Sequence, residues 1–256
     1  MIDPRKAPEK LPEPHEKLIV ALDVDSADAA KAVVADLAGI VDTFKVGLQL
    51  FCAAGGTFVR DLVDGGSRIF LDLKFHDIPA TVSKAGIEAA KLGVWMFNVH
   101  ASGGGEMMKR TARDVGEFCF KSNLPLPRII GVTVLTSSNE STLQEIGAGR
   151  NVSEQVVRLA HLSAESGMHG VVASGKEIEV IRDAVTDPDF LIVTPGVRPL
   201  SATNDDQKRV ITPGEAILKG SNYLVVGRPV VAAPDSRAEA RRILEEMYGA
   251  ILIARS

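Results

Sequence analysis

Three charged residues lie close together in residues 68–81 and could carry out proton-transfer chemistry. Asp72 and Lys74 interrupt an apolar run that is typical of a buried strand. Because side chains alternate along a strand, both point to the same face of the sheet. Asp77 falls in the turn beyond the strand, before an amphipathic segment that begins after Pro79. Buried charges are weak evidence for stability and concentrate at functional sites, so the segment favours a catalytic array over a salt-bridged strand end.

The charges around Lys74 predict its role. An ammonium between the carboxylates of Asp72 and Asp77 should stay protonated, because opposite charges nearby favour the charged form. A Schiff-base lysine needs the reverse, a free amine in an apolar or cationic environment. We therefore expect Lys74 to donate a proton or to stabilise a developing anion, and we do not expect it to act as a nucleophile.

Alternating elements along the chain must position these residues. Short β-branched runs predict eight strands, at residues 18–23, 43–47, 68–74, 95–100, 128–134, 170–173, 190–194 and 223–227. Helical segments lie between most of them, at residues 27–38, 51–64, 80–92, 106–120, 153–166 and 178–185, and Pro213 opens another helix. Eight such units predict an α/β fold of a single domain, a closed (β/α)8 TIM barrel. A doubly wound open sheet is the competing fold, but the first strand lacks a following G-x-G-x-x-G motif.

The predicted strand ends collect polar residues. In barrels of this type, catalytic groups come from the C-terminal ends of the strands and from the loops that follow. Four charged residues at the first three strand ends alternate in sign, and they are Asp23, Lys45, Asp72 and Lys74. His100 ends the fourth strand, and Thr136 and Ser137 follow the fifth. We expect the four charges to face the barrel interior together.

The last two strand ends predict a phosphate site. Gly227 and Arg228 close the eighth strand, and Arg198 follows the seventh. The loops after strands seven and eight commonly bind phosphate in these barrels, where glycine permits close backbone approach and a guanidinium binds bidentately. A polar loop of about 15 residues follows Arg198, a length typical of a functional lid, and Gln207 in its middle would reach over a bound anion. A solvated connector is the alternative for this loop.

Composition excludes several classes of function. The chain of 256 residues has 45% hydrophobic and 24% charged residues, as in a soluble globular protein. Its formal net charge is −4 without a basic run, so neither nucleic acid nor a membrane is an expected partner. No stretch approaches the roughly 20 apolar residues of a membrane span, and we expect a cytoplasmic protein. Residues 1–16 are predicted to be a mobile leader before a catalytic domain over residues 17–256.

Cysteine and histidine positions predict no metal or redox site. Cys52 and Cys119 lack metal-ligand and redox spacing and are expected to be reduced core thiols. No pair of histidines has metal-ligand spacing, and lysines match the acids at the strand ends, so no bound metal is expected. His100 could touch a substrate, although a hydrogen-bonded supporting role is more ordinary. His76 is expected to face outward.

The residues of the charged segment also match a known family. Asp72-x-Lys74-x-x-Asp77-Ile78-Pro79-x-Thr81 resembles the signature of the orotidine 5′-phosphate decarboxylase family, in its bacterial branch. Further matching stretches follow in the family's order: Ala21-Leu22-Asp23, Phe44-Lys45-Val46-Gly47, Asn98-Val99-His100-Ala101, Val134-Leu135-Thr136-Ser137, Thr194-Pro195-Gly196-Val197-Arg198-Pro199 and Val226-Gly227-Arg228-Pro229. The resemblance runs from about residue 17 to residue 250.

The resemblance implies an activity and a first set of roles. It implies a barrel that needs no metal or organic cofactor and converts orotidine 5′-phosphate to uridine 5′-phosphate, the last step of de novo pyrimidine synthesis. Asp23 and Lys45 would hold the ribose hydroxyls. Asp72 would lie beside the substrate carboxylate, and Lys74 would donate the proton that replaces the departing CO2.

The resemblance also implies an assembly and the remaining contacts. The protein would be a homodimer, with Asp77 and Thr81 reaching across the interface into the neighbouring site. Thr136 would lie by the pyrimidine ring, and the adjacent Ser137 is equally able to do so. The phosphate end would be lined by Arg198, Gln207, Gly227 and Arg228.

Two other functions stay open at this point. Metal-dependent 3-keto-gulonate phosphate decarboxylases and hexulose phosphate synthases share an Asp-x-Lys-x-x-Asp motif. Those enzymes carry a glutamate metal ligand near the end of the second strand, where this chain has Lys45. The other function is that of a non-catalytic barrel that binds sugar phosphates, but binding alone does not require the cost of assembling the charged array.

Overall fold

Eight parallel strands close into a barrel in the computed structural model, which describes residues 14–199 and 211–255. The strands are β1 (Leu18–Ala21), β2 (Thr43–Gly47), β3 (Arg68–Phe75), β4 (Met96–His100), β5 (Arg128–Val132), β6 (Gly170–Val172), β7 (Leu191–Pro195) and β8 (Tyr223–Val226). Each pairs with the next, and β8 returns to β1 with Leu224 opposite Leu18. The predicted (β/α)8 barrel is confirmed, and every predicted strand is present.

Helices connect the strands and surround the barrel. They are α1 (Pro14–Lys17), α2 (Ala27–Asp36), α3 (Leu48–Asp64), α4 (Pro79–Lys91), α5 (Gly105–Ser122), α6 (Glu140–Glu145), α7 (Val152–Glu165), α8 (Ile178–Ala184), α9 (Pro213–Leu218), α10 (Arg228–Val231) and α11 (Ser236–Arg255). All of the predicted helices are present. The sequence prediction did not include α1, α6, α10 or α11, and α1 begins within the predicted leader.

Several helices begin at signals written in the local sequence. The Ser26 side chain accepts a hydrogen bond from the Ala29 N–H at 3.2 Å and caps α2. Thr212 and Glu215 form a capping box at the start of α9. Pro79 occupies the first turn of α4, where its missing N–H removes no helical hydrogen bond. The local sequence therefore sets the residue at which each of these helices begins, and so the length of the loop that follows the preceding strand.

The core has two layers that follow the alternation of the strands. The barrel interior is filled by Ile19, Ala21, Phe70, Met96, Ile130, Val193, Tyr223 and Val225. The strand residues between them, such as Leu18 and Val20, pack outward against the helices. Two residues beyond Ala21 the inward series reaches Asp23, and two residues beyond Phe70 it reaches Asp72. A packed apolar floor therefore lies directly beneath the charged residues.

Aromatic and cationic side chains close the N-terminal end of the barrel. Trp95, the one tryptophan of the chain, packs edge-on against Tyr223 with ring centroids 5.1 Å apart. The guanidinium carbons of Arg68 and Arg128 lie 5.2 and 5.0 Å from the Trp95 ring centroid, within cation–π range. This packing leaves the C-terminal end of the barrel as the place for a ligand, as in other barrels of this class.

Two smaller expectations met different outcomes. Residues 1–13 of the predicted leader lie outside the described residues, and α1 follows them immediately before β1. Cys119 is buried in α5, but the expectation of a core thiol is wrong for Cys52, which is exposed on α3. The buried side of α3 is formed by Leu50, Phe58, Val59 and Leu62, and Cys52 falls beside that stripe. None of the described helices is long and apolar enough to span a membrane.

Candidate active site

Four charged side chains form one continuous chain of ion pairs at the C-terminal ends of β1, β2 and β3. The Lys45 Nζ atom lies 3.0 Å from Asp23 Oδ1 and 3.5 Å from Asp72 Oδ2. The Lys74 Nζ atom lies 2.6 Å from Asp72 Oδ1. The structure thus brings together the four residues whose signs alternate in the sequence. We call Asp23, Lys45, Asp72 and Lys74 the charged array.

Burial varies along the charged array. The side chains of Lys45 and Asp72 are 11% and 14% exposed, whereas those of Lys74 and Asp23 are 35% and 53% exposed. Burial by itself disfavours the Asp72 carboxylate. Its pKa is nevertheless lowered, because the Lys45 and Lys74 ammonium groups and the hydrogen bonds from Lys74 and Asn98 favour the ionised form. Asp72 is therefore a carboxylate at neutral pH.

The backbone of Lys74 is strained. Its φ angle is 51°, in the left-handed region that L-residues other than Asn and Asp seldom adopt. The strain coincides with an irregularity in the sheet: β3 pairs with β4 at Leu71 opposite Phe97, and pairing resumes only at Phe75 opposite Val99. Bulges of this kind are frequent beside active sites, where they redirect a side chain.

Asn98 on β4 is a residue of the site that the sequence prediction gave no role. It is fully buried, its Oδ1 accepts the Lys74 backbone N–H at 2.8 Å, and its Nδ2 donates to Asp72 Oδ1 at 2.6 Å. One signal was available in the sequence, because Asn98 is a polar residue inside an apolar strand and lies two residues beyond the inward-facing Met96.

The charged array lines a cavity of about 130 Å³. The other lining residues are Leu22, Val24, Gly47, Leu48, Gln49 and Leu50. A Cβ atom at Gly47 would lie 2.9 Å from Lys45 Nζ, and one at Gly227 would lie 3.1 Å from Asp23 Oδ2. A larger residue at either position would therefore displace the side chain of Lys45 or Asp23, and Gly227, a predicted phosphate residue, adjoins the charged array.

Asp77 and Thr81 follow the charged array in the chain, in the turn after β3 and in the first turn of α4. Both side chains are exposed, and Asp77 Oδ1 accepts the Ile78 N–H at 2.6 Å. In the described part of the chain no ion pair joins Asp77 to Lys74, so the role of Asp77 beside Lys74 stays a prediction. In the turn after β3 the Asp77 carboxylate is held by the backbone N–H of Ile78. The two charged neighbours of Asp72 are Lys45 and Lys74.

The other predicted residues within the described part of the chain follow the C-terminal ends of β5, β7 and β8. Thr136 and Ser137 are exposed at the centre of a turn that the Ser138 N–H closes on the Leu135 carbonyl at 2.8 Å. The Arg198 N–H donates to the Ile211 carbonyl at 3.2 Å, which joins the two ends of the loop after β7. The other two are Arg228, exposed at the first residue of α10, and Gln207, which lies outside the described residues.

Two histidines adjoin the array. The His76 and His100 rings pack with centroids 5.4 Å apart, and His76 is exposed as expected. Burial, reinforced by electrostatic repulsion from the ammonium group of Lys74, lowers the pKa of His100. His100 is therefore neutral at physiological pH. Within residues 14–199 and 211–255, no group of three or more His, Cys, Asp or Glu side chains is placed to hold a metal ion.

Comparison with known proteins gives one consistent result. Residues 16–243 match the model of the orotidine 5′-phosphate decarboxylase / HUMPS family. The orotidine 5′-phosphate decarboxylase of Syntrophotalea carbinolica is 53% identical over 241 residues, which cover 94% of this chain and 98% of that protein. The enzyme of the same name from Moorella thermoacetica is 50% identical over 233 residues, covering 91% of this chain and 92% of that protein.

A solved structure agrees with these relatives. The crystal structure of orotidine 5′-phosphate decarboxylase from Lactobacillus acidophilus superposes with a TM-score of 0.80 at 36% identity. The superposition covers 91% of this chain and 99% of that chain. The ion-paired strand ends of this barrel thus occur in a sequence that is close to those enzymes over nearly its whole length. The chain belongs to the orotidine 5′-phosphate decarboxylase / HUMPS family.

Proposed function

We propose that the protein is a carboxy-lyase that converts orotidine 5′-phosphate to uridine 5′-phosphate in pyrimidine biosynthesis. The observation that carries the proposal is the charged array, which sets the Lys74 ammonium against the ionised Asp72 at the mouth of the barrel. Relatives at about half identity over more than nine-tenths of the chain carry the name of this activity, which supports the choice of substrate.

The array suits the electronic demand of this reaction. Breaking the bond between the ring carbon and the carboxylate releases CO2 and leaves the electron pair in an sp2 orbital that the π system cannot delocalise. The pair must be met by fixed positive charge and then by a proton. Lys74 supplies both: its ammonium faces the carbanion and gives up one proton to the ring carbon. The resulting amine regains a proton from solvent before the next turnover.

The electrostatic contribution of Lys74 is too small to account for an enzymatic rate enhancement by itself. An ammonium about 4 Å from a unit negative charge contributes about 4 kcal/mol at an effective dielectric constant near 20. Enzymatic accelerations typically correspond to about 8–23 kcal/mol. We assign the remainder to the binding of the phosphate and the ribose, which holds the scissile carboxylate beside Asp72 and closes the loop after β7.

The rest of the substrate would lie across the mouth of the barrel. Asp23 and Lys45 would bind the ribose hydroxyls, and Thr136 or Ser137 would contact the pyrimidine ring. The phosphate would be held by Arg198, Gln207, Gly227 and Arg228. Because Gly227 adjoins Asp23, the sugar and phosphate positions would be neighbours, as a nucleoside monophosphate requires.

We also propose that the protein is a cytoplasmic homodimer with shared sites. Asp77 and Thr81 would extend from one subunit into the site of the other. Their exposure supports this arrangement, as does the exposure of two large apolar side chains at the same end of the barrel, Leu48 at the start of α3 and Ile78 next to Asp77. We propose that catalysis needs no metal, since both carboxylates of the charged array are already paired with ammonium groups.

One assay tests the activity and the role of Lys74. The ultraviolet absorbance of orotidine 5′-phosphate is followed with purified protein in the presence of a chelator. We expect turnover by the wild type and its near-complete loss in Lys74→Ala. Lys31→Ala is the matched control, because Lys31 forms an exposed ion pair with Asp61 at 3.1 Å on the outer surface.

The outcomes of this assay separate the alternatives. An inactive wild type would contradict the proposed activity. Activity that the chelator abolishes and magnesium restores would favour the metal-dependent relatives. Unchanged turnover by Lys74→Ala would remove the proton-donor role while leaving the reaction in place.

A further inference from the structure

Asn98 connects the two residues at the centre of the charged array. The residue is fully buried in β4 and both polar atoms of its amide are used. Its Oδ1 accepts from the Lys74 backbone N–H at 2.8 Å, and its Nδ2 donates to Asp72 Oδ1 at 2.6 Å. A single side chain on one strand thus holds the backbone of the lysine and the carboxylate of the aspartate on the next strand.

The chemistry of the partners fixes the orientation of this amide. The Lys74 N–H can only donate, so it requires the amide oxygen. The ionised Asp72 can only accept, so it requires the amide nitrogen. The reversed amide would set two donors against each other and two acceptors against each other. The assignment of Oδ1 and Nδ2 therefore follows from the neighbours alone.

The sheet explains why the Lys74 backbone needs a side-chain partner. Between the paired residues Leu71–Phe97 and Phe75–Val99, β3 has three residues where β4 has only Asn98. The regular ladder is interrupted over this stretch, and Lys74 lies within it with its φ angle of 51°. Strained backbone of this kind persists only where its surroundings hold it. The Asn98 amide supplies that support in place of a ladder hydrogen bond.

The same amide sets the rotation of the Asp72 carboxylate. Asp72 Oδ1 accepts hydrogen bonds from Asn98 Nδ2 and from Lys74 Nζ, each at 2.6 Å. Asp72 Oδ2 then faces Lys45 Nζ at 3.5 Å. We propose that Asn98 is a positioning residue for the decarboxylation: it fixes the Asp72 carboxylate and the Lys74 backbone so that the ammonium meets the substrate in one geometry. This inference rests on the proposed function.

Two substitutions separate positioning from simple packing. Asn98→Leu keeps the approximate volume and removes both hydrogen bonds. We expect kcat to fall about 100-fold with a much smaller change in KM, because misplacement of reacting groups by about 1 Å has effects of that size. Asn98→Asp keeps the shape and adds a titratable group.

The pH profile of Asn98→Asp is the decisive measurement. A protonated carboxyl at this position reproduces the amide, with its carbonyl accepting the Lys74 N–H and its hydroxyl donating to Asp72. An ionised one repels Asp72. We therefore expect the ratio of kcat for Asn98→Asp to kcat for the wild type to rise as the pH falls. The other charged and titratable groups on the neighbouring elements are Asp23, Lys45, Lys74, His76 and His100. Their titration affects kcat in both proteins, so its effect cancels in the ratio of the two kcat values.

A second asparagine offers a matched control. Asn222 lies at the opposite end of the barrel, where its Oδ1 accepts the Ile192 N–H at 2.8 Å and a hydrogen bond from Arg182. Like Asn98, it connects two strands, but it touches no residue of the charged array. We expect Asn222→Leu to lower the melting temperature and to leave kcat unchanged.

Each outcome decides one question. A kcat of Asn98→Leu near the wild-type value, or an equal loss in Asn222→Leu, would overturn the positioning role. A ratio for Asn98→Asp that stays constant with pH would overturn it as well, and this measurement suffices if Asn98→Leu does not fold. An inactive wild type would instead overturn the proposed function, so the two failures are distinguishable.

Discussion

Glycine at position 47 determines where the Lys45 ammonium can lie. A Cβ atom there would come within 2.9 Å of Lys45 Nζ, closer than real contacts allow, and 3.7 Å from Asp23 Oδ1. The backbone angles of Gly47 are extended, so alanine is sterically acceptable to the backbone itself. The effect of a substitution would therefore fall on the lysine and on its two ion pairs.

We expect Gly47→Ala to displace the Lys45 ammonium from its place between Asp23 and Asp72. Because these groups are proposed to bind ribose, kcat/KM for orotidine 5′-phosphate should fall about tenfold, equivalent to about 1.4 kcal/mol. The melting temperature should change little, since only the end of a flexible side chain must move. Gly249→Ala in α11, with no atom within 4 Å of its Cβ, is the control. Equal kcat/KM values for the two variants would contradict this account.

Strand alternation made most of the charged array predictable. Asp23, Lys45 and Asp72 continue the inward-facing series of their strands, so the convergence of these three follows from the period of the strands. Lys74 joins them through the irregular, left-handed backbone at the end of β3, which the period alone does not give. The role of Asn98 was not predictable, because it depends on an irregular register between β3 and β4. The hydrogen bond that the Asp77 carboxylate accepts from the Ile78 N–H was not predictable either, because it depends on the geometry of the turn after β3.

At the scale of elements, α4 and α5 pack through a glycine. A Cβ atom at Gly86 of α4 would lie 2.9 Å from the Val115 side chain on α5 and 3.0 Å from the Phe97 ring on β4. Both neighbours are buried and cannot move freely. The close approach of these two helices therefore requires glycine at this position, and α4 is the helix that follows the turn containing Asp77.

We expect Gly86→Ala to destabilise the protein. Overpacking costs about 1–3 kcal/mol, and the gain from replacing glycine in a helix offsets about 1 kcal/mol of this. The net loss in the free energy of unfolding should be about 1 kcal/mol, measured by urea denaturation. Gly116→Ala in α5, with open space around its Cβ, should instead be stabilising by about 0.4–1 kcal/mol. A stabilising Gly86→Ala would contradict the packing argument.

The elements themselves were predicted unevenly. The strands are short, apolar and bounded by turns, so their positions were clear, and their ends differ from the prediction by no more than two residues. The helix α10 has only four residues and shows no period. A signal did exist for α11, since its buried residues Ala240, Ile243, Met247, Ala250 and Ile251 repeat at helical spacing, but the sequence prediction omitted that helix.

At the scale of the whole molecule, the partly buried His169 links stability to pH. Burial, together with the charge of Arg128, lowers the pKa of His169, and its Nδ1 accepts the Ile129 N–H at 3.0 Å, which only a neutral imidazole nitrogen can do. The unfolded chain therefore binds a proton more readily than the folded one. The stability associated with His169 is complete above the ordinary histidine pKa of about 6.5 and is lost as the pH falls toward the lower folded value.

His169→Gln tests this linkage, because glutamine can accept the same N–H without titrating. The quantity to compare is the free energy of unfolding of the wild type minus that of the variant. We expect this difference to be larger above pH 7 than at pH 5. Urea denaturation across this range gives both values. His100, whose pKa is also lowered, remains in both proteins and contributes equally. A difference that is independent of pH would exclude His169 as a source of the slope.

Shared sites would be visible in mixed dimers. If Asp77 acts across the interface, then neither Asp77→Ala nor Lys74→Ala is active alone, but a dimer with one chain of each has one complete site. We expect activity to reappear when the two variants are unfolded and refolded together, measured by the same absorbance assay. Refolding each variant separately is the control. If the mixture stays as inactive as its parts, each subunit must rely on its own residues.

The cation–π cluster around Trp95 has a practical consequence for spectroscopy. The single indole fluorophore lies at the closed end of the barrel, held by Arg68, Arg128 and Tyr223, while the charged array lies at the other end. The emission of Trp95 therefore reports whether the N-terminal end of the barrel is folded. Nucleotide titrations need a different reporter, and intrinsic fluorescence remains a probe of unfolding that occupancy of the mouth does not disturb.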